Sequence, residues 1–244
     1  PRAPAARGLA AFWKPSQPMS RRMGGATVQP MSRIAVIDFE TTGISPGLGD
    51  RATEVAIVIT EHGRVVDRYQ SLMNAGVRIP GFITQLTGIT NEMIATAPPA
   101  HTVMSEAARF VGDVPMVAHN ASFDRRFWAA ELERAGAPAA QPFACTVLLS
   151  RRLYPEAPSH KLGSLVDFFR LPRTGQAHRA LADAEMAAEL LGRIQHDLRT
   201  RHGVGAPDHA FLMALQRCTR AALPRFIQTH TQRADVAALS TRAA

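Results

Sequence analysis

The chain has 244 residues, a formal charge of +8 and only two cysteines. Its length suits one core of ordinary domain size. Cys145 and Cys218 lack ligand spacing, which excludes a disulfide framework and a thiolate metal site, and no apolar run reaches the roughly 18 residues of a membrane-spanning helix. A reducing, cytoplasmic setting away from membranes is therefore expected. The charge lies at the ends: residues 1–33 hold six basic and no acidic residues, and 199–244 hold seven basic and two acidic ones. Between them fifteen basic residues face eighteen acidic ones, so the centre is slightly acidic, as a carboxylate cluster neutralised by cations would be. The basic ends point to an anionic partner.

Residues 1–32 are rich in Pro, Ala, Gly and Arg without hydrophobic period, which predicts a disordered basic extension, either a passive tail or an arm on phosphate. Its prolines at 4, 15, 18 and 30 oppose an amphipathic transit helix, and it lacks the apolar core of a secretory signal. A short buried strand is expected from Ile34 to Ile37, running into Asp38-Phe39-Glu40-Thr41-Thr42-Gly43. After an exposed loop at 44–51, two strands, Thr53–Glu61 with alternating character and Val65–Met73, form a hairpin around His62-Gly63. Residues 80–97 read as two short helices joined at Gly88, and 101–111 as a helix with one apolar face. Val114–Ala118 is a short strand ending at His119-Asn120. Asn120 is a cap for a helix over 121–136, which places Asp124 near the helix start, where the dipole favours a carboxylate. A strand or strand-to-helix passage follows at 143–149, then helices at 162–169 and 181–198. One more helix is expected over 207–223, and 224–244 reads as loosely ordered.

Side chains alternate along a strand, so Asp38 and Glu40 share a face. Two carboxylates at the end of a buried strand repel each other and lose solvation, and hard divalent cations are the natural counter-charge. His178 precedes Asp183 by five residues, which are about 140° apart on a helix of about 3.6 residues per turn. Both cannot point into one site from a regular helix, so His178 is expected in the loop before it, free to take a proton. A dinucleotide-binding fold is disfavoured because Gly-x-Gly-x-x-Gly does not follow the first strand.

Asp38-x-Glu40, Asp124 within His119-Asn120-Ala121-Ser122-Phe123-Asp124, and His178 five residues before Asp183 resemble, in that order, the three motifs of the DEDD exonuclease superfamily in its histidine branch. That branch includes the epsilon subunit of bacterial DNA polymerase III, ribonuclease T and oligoribonuclease, and the resemblance spans roughly Arg33 to Leu191. It implies an α/β, ribonuclease H-like fold with a five-stranded mixed sheet flanked by helices. It further implies two divalent ions, Mg²⁺ or Mn²⁺, held by Asp38, Glu40, Asp124 and Asp183, with His178 as general base. Thr41, Thr42, Gly43, Leu86, Ile89, His119, Asn120 and Phe123 are the expected contacts to the 3′-terminal nucleotides, although core packing of Leu86 and Ile89 and a structural role for His119 stand beside that reading.

The expected organisation is a basic extension over 1–32, an exonuclease domain over 33–200 and a helical, basic C-terminal extension over 201–244. The expected activity is removal of 5′-mononucleotides from the 3′ ends of single-stranded or frayed DNA, as a proofreading or repair nuclease. The segments 159–165 and 177–189 resemble epsilon relatives more than oligoribonuclease, while no Gln-x-x-Leu-Phe-type clamp motif follows the domain. The alternatives are an exoribonuclease of the same branch and a nucleic-acid-binding subunit that docks on a DNA polymerase.

Overall fold

The computed structural model describes residues 33–173, 175 and 178–242, with side chains as far as residue 232. The expectation for 1–32 lies outside the described residues. Strands β1 (Arg33–Thr41), β2 (Ala52–Glu61), β3 (Arg64–Leu72), β4 (Met116–Ala118) and β5 (Phe143–Cys145) form one mixed sheet in the order β3-β2-β1-β4-β5. The β1–β2 and β2–β3 pairs are antiparallel, and the β1–β4 and β4–β5 pairs are parallel. His62 and Gly63 turn between β2 and β3 with φ of 51° and 75°, the left-handed pair that a two-residue hairpin needs.

Helices α1 (Gly81–Thr87) and α2 (Asn91–Ala95) gather Ile79, Ile83, Ile89 and Ile94 into a small cluster of their own. Helices α3 (Ala100–Val111) and α4 (Ala121–Arg134) cover one sheet face, where Met104, Phe127, Trp128 and Leu132 meet Ala35, Ile37, Phe39, Val55 and Ile57. The opposite face, lined by Ile34, Val36, Ala56 and Val58, packs on α5 (Thr146–Leu153), α6 (Leu162–Phe169), α7 (Ala180–His202), α8 (His209–Leu215) and α9 (Leu223–Arg242). Both faces of the sheet are thus lined by alternate residues of the same strands. No helix among the described residues is long and apolar enough to cross a membrane.

Three local expectations change. β2 is buried along nearly its whole length, because it has a strand on either edge and apolar side chains packed over both faces. Asn120 stands at the start of α4, but in a left-handed conformation (φ 70°) and without a side-chain capping bond. The segment expected to be loose begins as α9, whose Leu223 and Ile227 join the core beside Leu212 and Leu215 of α8, so the inner face of the C-terminal segment belongs to the main core.

Candidate active site

The alternation that buries Ile34 and Val36 against α7 carries on to Asp38 and Glu40, so both carboxylates leave β1 on the α7 side. Asp183 lies in the first turn of α7, and one oxygen from each of Asp38, Glu40 and Asp183 falls within 4.8 Å of the others. Asp124, near the start of α4, is 2% exposed, and its Oδ1 has no hydrogen-bond partner. It approaches Asp38 closely enough to be, after burial, the strongest influence raising that carboxyl.

Charge separates these groups from their neighbours. Burial and the surrounding carboxylates hold Asp38 well above the usual range. Burial, with Asp183 and Glu54, pushes Glu40 to about 8, and burial pushes Asp124 to about 8. Burial also raises Asp183, partly offset by the His178 amide, which donates to its Oδ2 at 3.1 Å. Glu54, directly opposite Glu40 in the β1–β2 register, behaves differently. Burial alone would raise it, yet hydrogen bonds from Arg179, Gln70 and the Ala180 amide hold it below the usual range. Four carboxyls are therefore raised on balance, Glu40 in spite of Arg179 nearby, while a fifth, Glu54, is lowered by its own partners. An orphaned buried oxygen on Asp124 and three converging oxygens on Asp38, Glu40 and Asp183 form an all-oxygen donor set, which fits hard divalent cations.

His178 lies in the turn before α7, as its spacing requires, in a left-handed conformation (φ 60°) and with an exposed side chain. Asn120 and His178, both left-handed, thus precede the two helices that carry Asp124 and Asp183. Thr41 and Thr42 are buried. The Thr41 hydroxyl donates to the Gly43 carbonyl at 2.6 Å, and the Thr42 hydroxyl accepts from the Arg51 amide at 3.0 Å. A Cβ on Gly43 would overlap the Asp50 carboxylate, which itself accepts from the Ser45 amide at 2.9 Å, so this loop closes only around glycine.

The remaining expected contacts divide. Leu86 is half exposed, Phe82 beside it is more so, Asn120 is exposed and Phe123 is partly buried against Phe127. Ile89 is fully buried with Ile79, Ile83 and Ile94, and so supports the α1–α2 loop instead of offering a surface for a nucleotide. His119 has both ring nitrogens engaged. Nε2 lies 3.1 Å from the His160 carbonyl, which can only accept, so Nδ1 accepts from the Thr146 hydroxyl at 2.9 Å. Burial lowers its pKa to about 4, which keeps this arrangement neutral.

Two buried ion pairs that the motifs do not announce tie the first residues of β2 and the loop before it to both helices. Arg51 pairs bidentately with Glu131 of α4 at 2.8 and 2.9 Å, and Glu54 pairs bidentately with Arg179 at 2.8 and 3.1 Å. The only sequence signal for Glu54 is an acid at the head of the apolar run Val55–Ile59.

Residues 35–191 match the family described as Exonuclease. The chain is 39% identical over 171 residues to the 3′-5′ exonuclease DinG of Bacillus subtilis (strain 168), covering 68% of this chain and 18% of that protein. It is 35% identical over 171 residues to the PolC-type DNA polymerase III of Halalkalibacterium halodurans, covering 70% and 12%. The chain thus spans less than a fifth of the length of either curated relative. Exonuclease X, solved in complex with 5′-overhanging duplex DNA, superposes with a TM-score of 0.58 at 28% identity, over 73% of this chain and 98% of that one. Exonuclease I shares the fold with a TM-score of 0.61 at 19% identity, over 75% and 46%.

Proposed function

The chain belongs to the exonuclease family, within the DEDD-type 3′-to-5′ superfamily, and from that premise we propose that it releases 5′-mononucleotides from the 3′ ends of single-stranded or frayed DNA. One observation supports this reading above the others: Asp124 is buried, Asp38, Glu40 and Asp183 are partly buried beside it, and none of the four is in an ion pair among the described residues, whereas neighbouring Glu54 is paired. The four would hold two Mg²⁺ or Mn²⁺ ions. Such ions would supply a nucleophilic hydroxide at neutral pH and would stabilise the leaving 3′ oxygen.

In this reading the His178 imidazole takes a proton from the attacking water and returns it to solvent, to which its side chain is open. Thr41, Thr42 and Gly43 hold the strand-end loop in shape beside the acids. Leu86 and Phe82 offer exposed apolar surface for the terminal bases, with Phe123 and Asn120 at the start of α4. DNA stands ahead of RNA because DinG and PolC are named for an exonuclease and a DNA polymerase, and Exonuclease X was solved on DNA. The PolC likeness supports a polymerase context as a partner.

The test is cleavage of 3′-ended single-stranded DNA and RNA oligomers of equal sequence, with Mg²⁺ or Mn²⁺ and with a chelator, beside Asp38→Ala. Metal-dependent laddering from the 3′ end, faster on DNA and lost in the variant, is the expected result. Preference for RNA would replace the substrate, and cleavage in chelator would remove the metal-dependent mechanism.

A further inference from the structure

We infer that Glu54, through its buried pair with Arg179, positions the His178 turn for proton transfer, an inference that rests on the exonuclease reading above. The His178 imidazole makes no hydrogen bond among the described residues, so nothing its ring touches there fixes its place. Its backbone is fixed instead. The His178 amide donates to Asp183 Oδ2 at 3.1 Å, the next residue's guanidinium is clamped by both Glu54 oxygens, and the Ala180 amide donates to Glu54 Oε2 at 3.1 Å. Three successive residues are thus each held by a carboxylate, and two of the three by Glu54.

The geometry suits positioning and not ligation. The Glu54 side chain is 1% exposed, and both of its oxygens are occupied, since Oε1 also accepts from Gln70 Nε2 of β3 at 2.7 Å. It stands opposite Glu40 on β1, so the strand that carries the acids also sets the height of the residue that anchors the turn. The turn needs such an anchor: φ of 60° at His178 lies in a region that side-chain-bearing residues seldom occupy, and it persists only where the surroundings over-determine it. Because Arg179 neutralises Glu54, the anchor adds a fixed carboxylate beside the site without competing for the cations that the other four require.

The experiment is a double-mutant cycle on single-turnover cleavage of a 3′-ended single-stranded DNA oligomer with Mn²⁺, using Glu54→Gln, Arg179→Met, His178→Ala and the two doubles with His178→Ala. Each of Glu54→Gln and Arg179→Met is expected to lower the rate constant by roughly ten- to a hundredfold, with oligomer Kd changed by no more than about twofold. In the His178→Ala background neither should lower it further, because a residue that acts through His178 has nothing left to position. Amide exchange on the metal-free variants supplies a readout independent of turnover: exchange over 178–181 should quicken while β1 keeps its protection. A further additive loss in the His178→Ala background, or unchanged exchange and rate in both single variants, overturns the inference. Arg179 is partly exposed, so Arg179→Met carries the test if Glu54→Gln does not fold. A wild-type protein that cleaves no 3′-ended oligomer defeats the exonuclease reading instead, and the exchange comparison then decides by itself whether the anchor holds the turn.

Discussion

Glu40 and Glu54 stand directly opposite each other across β1 and β2, yet their carboxyls shift in opposite directions, Glu40 upward to about 8 and Glu54 downward. Both lose solvation on burial. Only Glu54 gains hydrogen bonds from a cation, a side-chain amide and a backbone amide. Two like charges facing each other across a sheet destabilise it, so the one that is paired keeps its charge and the other holds its proton more tightly.

The acids of the site should therefore trade stability for function. Asp38→Asn and Asp183→Asn are expected to abolish cleavage and, in chelator, to raise the melting temperature, because each removes one of several buried carboxylates that repel. For a chain of this length each kcal/mol gained corresponds to roughly 2–4 °C. Thermal melts with chelator and with Mn²⁺ check both parts: the metal should stabilise the wild type and leave the variants nearly unmoved. Retained turnover in either variant would remove its carboxylate from the metal set.

Removal of the exposed imidazole should act on chemistry and spare binding. His178→Ala is expected to lower the single-turnover rate constant by roughly 10²–10⁴-fold, the usual range for a general base, with oligomer affinity nearly unchanged. Fluorescence anisotropy with a chelator present measures affinity apart from turnover. An unchanged rate constant would take the proton-transfer role from His178.

Acid should unfold the protein partly through His119. Its folded pKa of about 4 lies below the ordinary histidine value near 6.5, so between those values the unfolded chain binds a proton that the folded one refuses. This histidine's contribution to stability is complete above about pH 6.5 and is lost as pH falls toward 4, at no more than roughly 1.4 kcal/mol per pH unit. Burial lowers His209 as well, so it contributes in the same direction. Urea unfolding at pH 7 and pH 5 should show a smaller pH loss for His119→Asn than for the wild type, and equal losses would mean that His119 is charged in the fold.

The ion pairs should differ sharply in worth. Arg51→Met leaves Glu131, whose side chain is 1% exposed, with only a 3.6 Å contact to Arg134 and the Ala52 amide at 3.2 Å, and is expected to cost about 3 kcal/mol, the low end of the range for breaking a buried pair. Arg68→Met breaks a pair whose arginine is 51% exposed and is expected to cost less than about 1 kcal/mol. Chemical denaturation of the two variants gives the comparison, and similar losses would show that burial does not set their strength.

Much of this protein is written in local patterns. The period of two along Ile34–Glu40 determines that Asp38 and Glu40 share a face, and the five-residue gap from His178 to Asp183 determines that the histidine precedes the helix. Glycine and turn chemistry place the hairpin at His62-Gly63 and the break at Gly88 for the same reason: each depends on a few neighbouring residues. Burial over longer distances was less legible. The alternating character of β2 does not show that both of its faces are covered, and nothing local decides between core packing and substrate contact for Ile89, which Ile79, Ile83 and Ile94 enclose.

What only the tertiary structure decided is which acid is already neutralised. Arg179 lies 125 residues from Glu54, and Glu131 lies 80 from Arg51. A carboxylate's charge state depends on the counter-charge within a few ångströms, and that neighbour is chosen by strand register and by the landing point of α7 on the sheet, not by the residues beside it in the chain. The sequence by itself determined the kinds and order of the chemical groups. The fold determined that the carboxyls of Asp38, Glu40, Asp124 and Asp183 are raised and that Glu54 is lowered by its partners, because desolvation and pairing are properties of surroundings assembled only on folding.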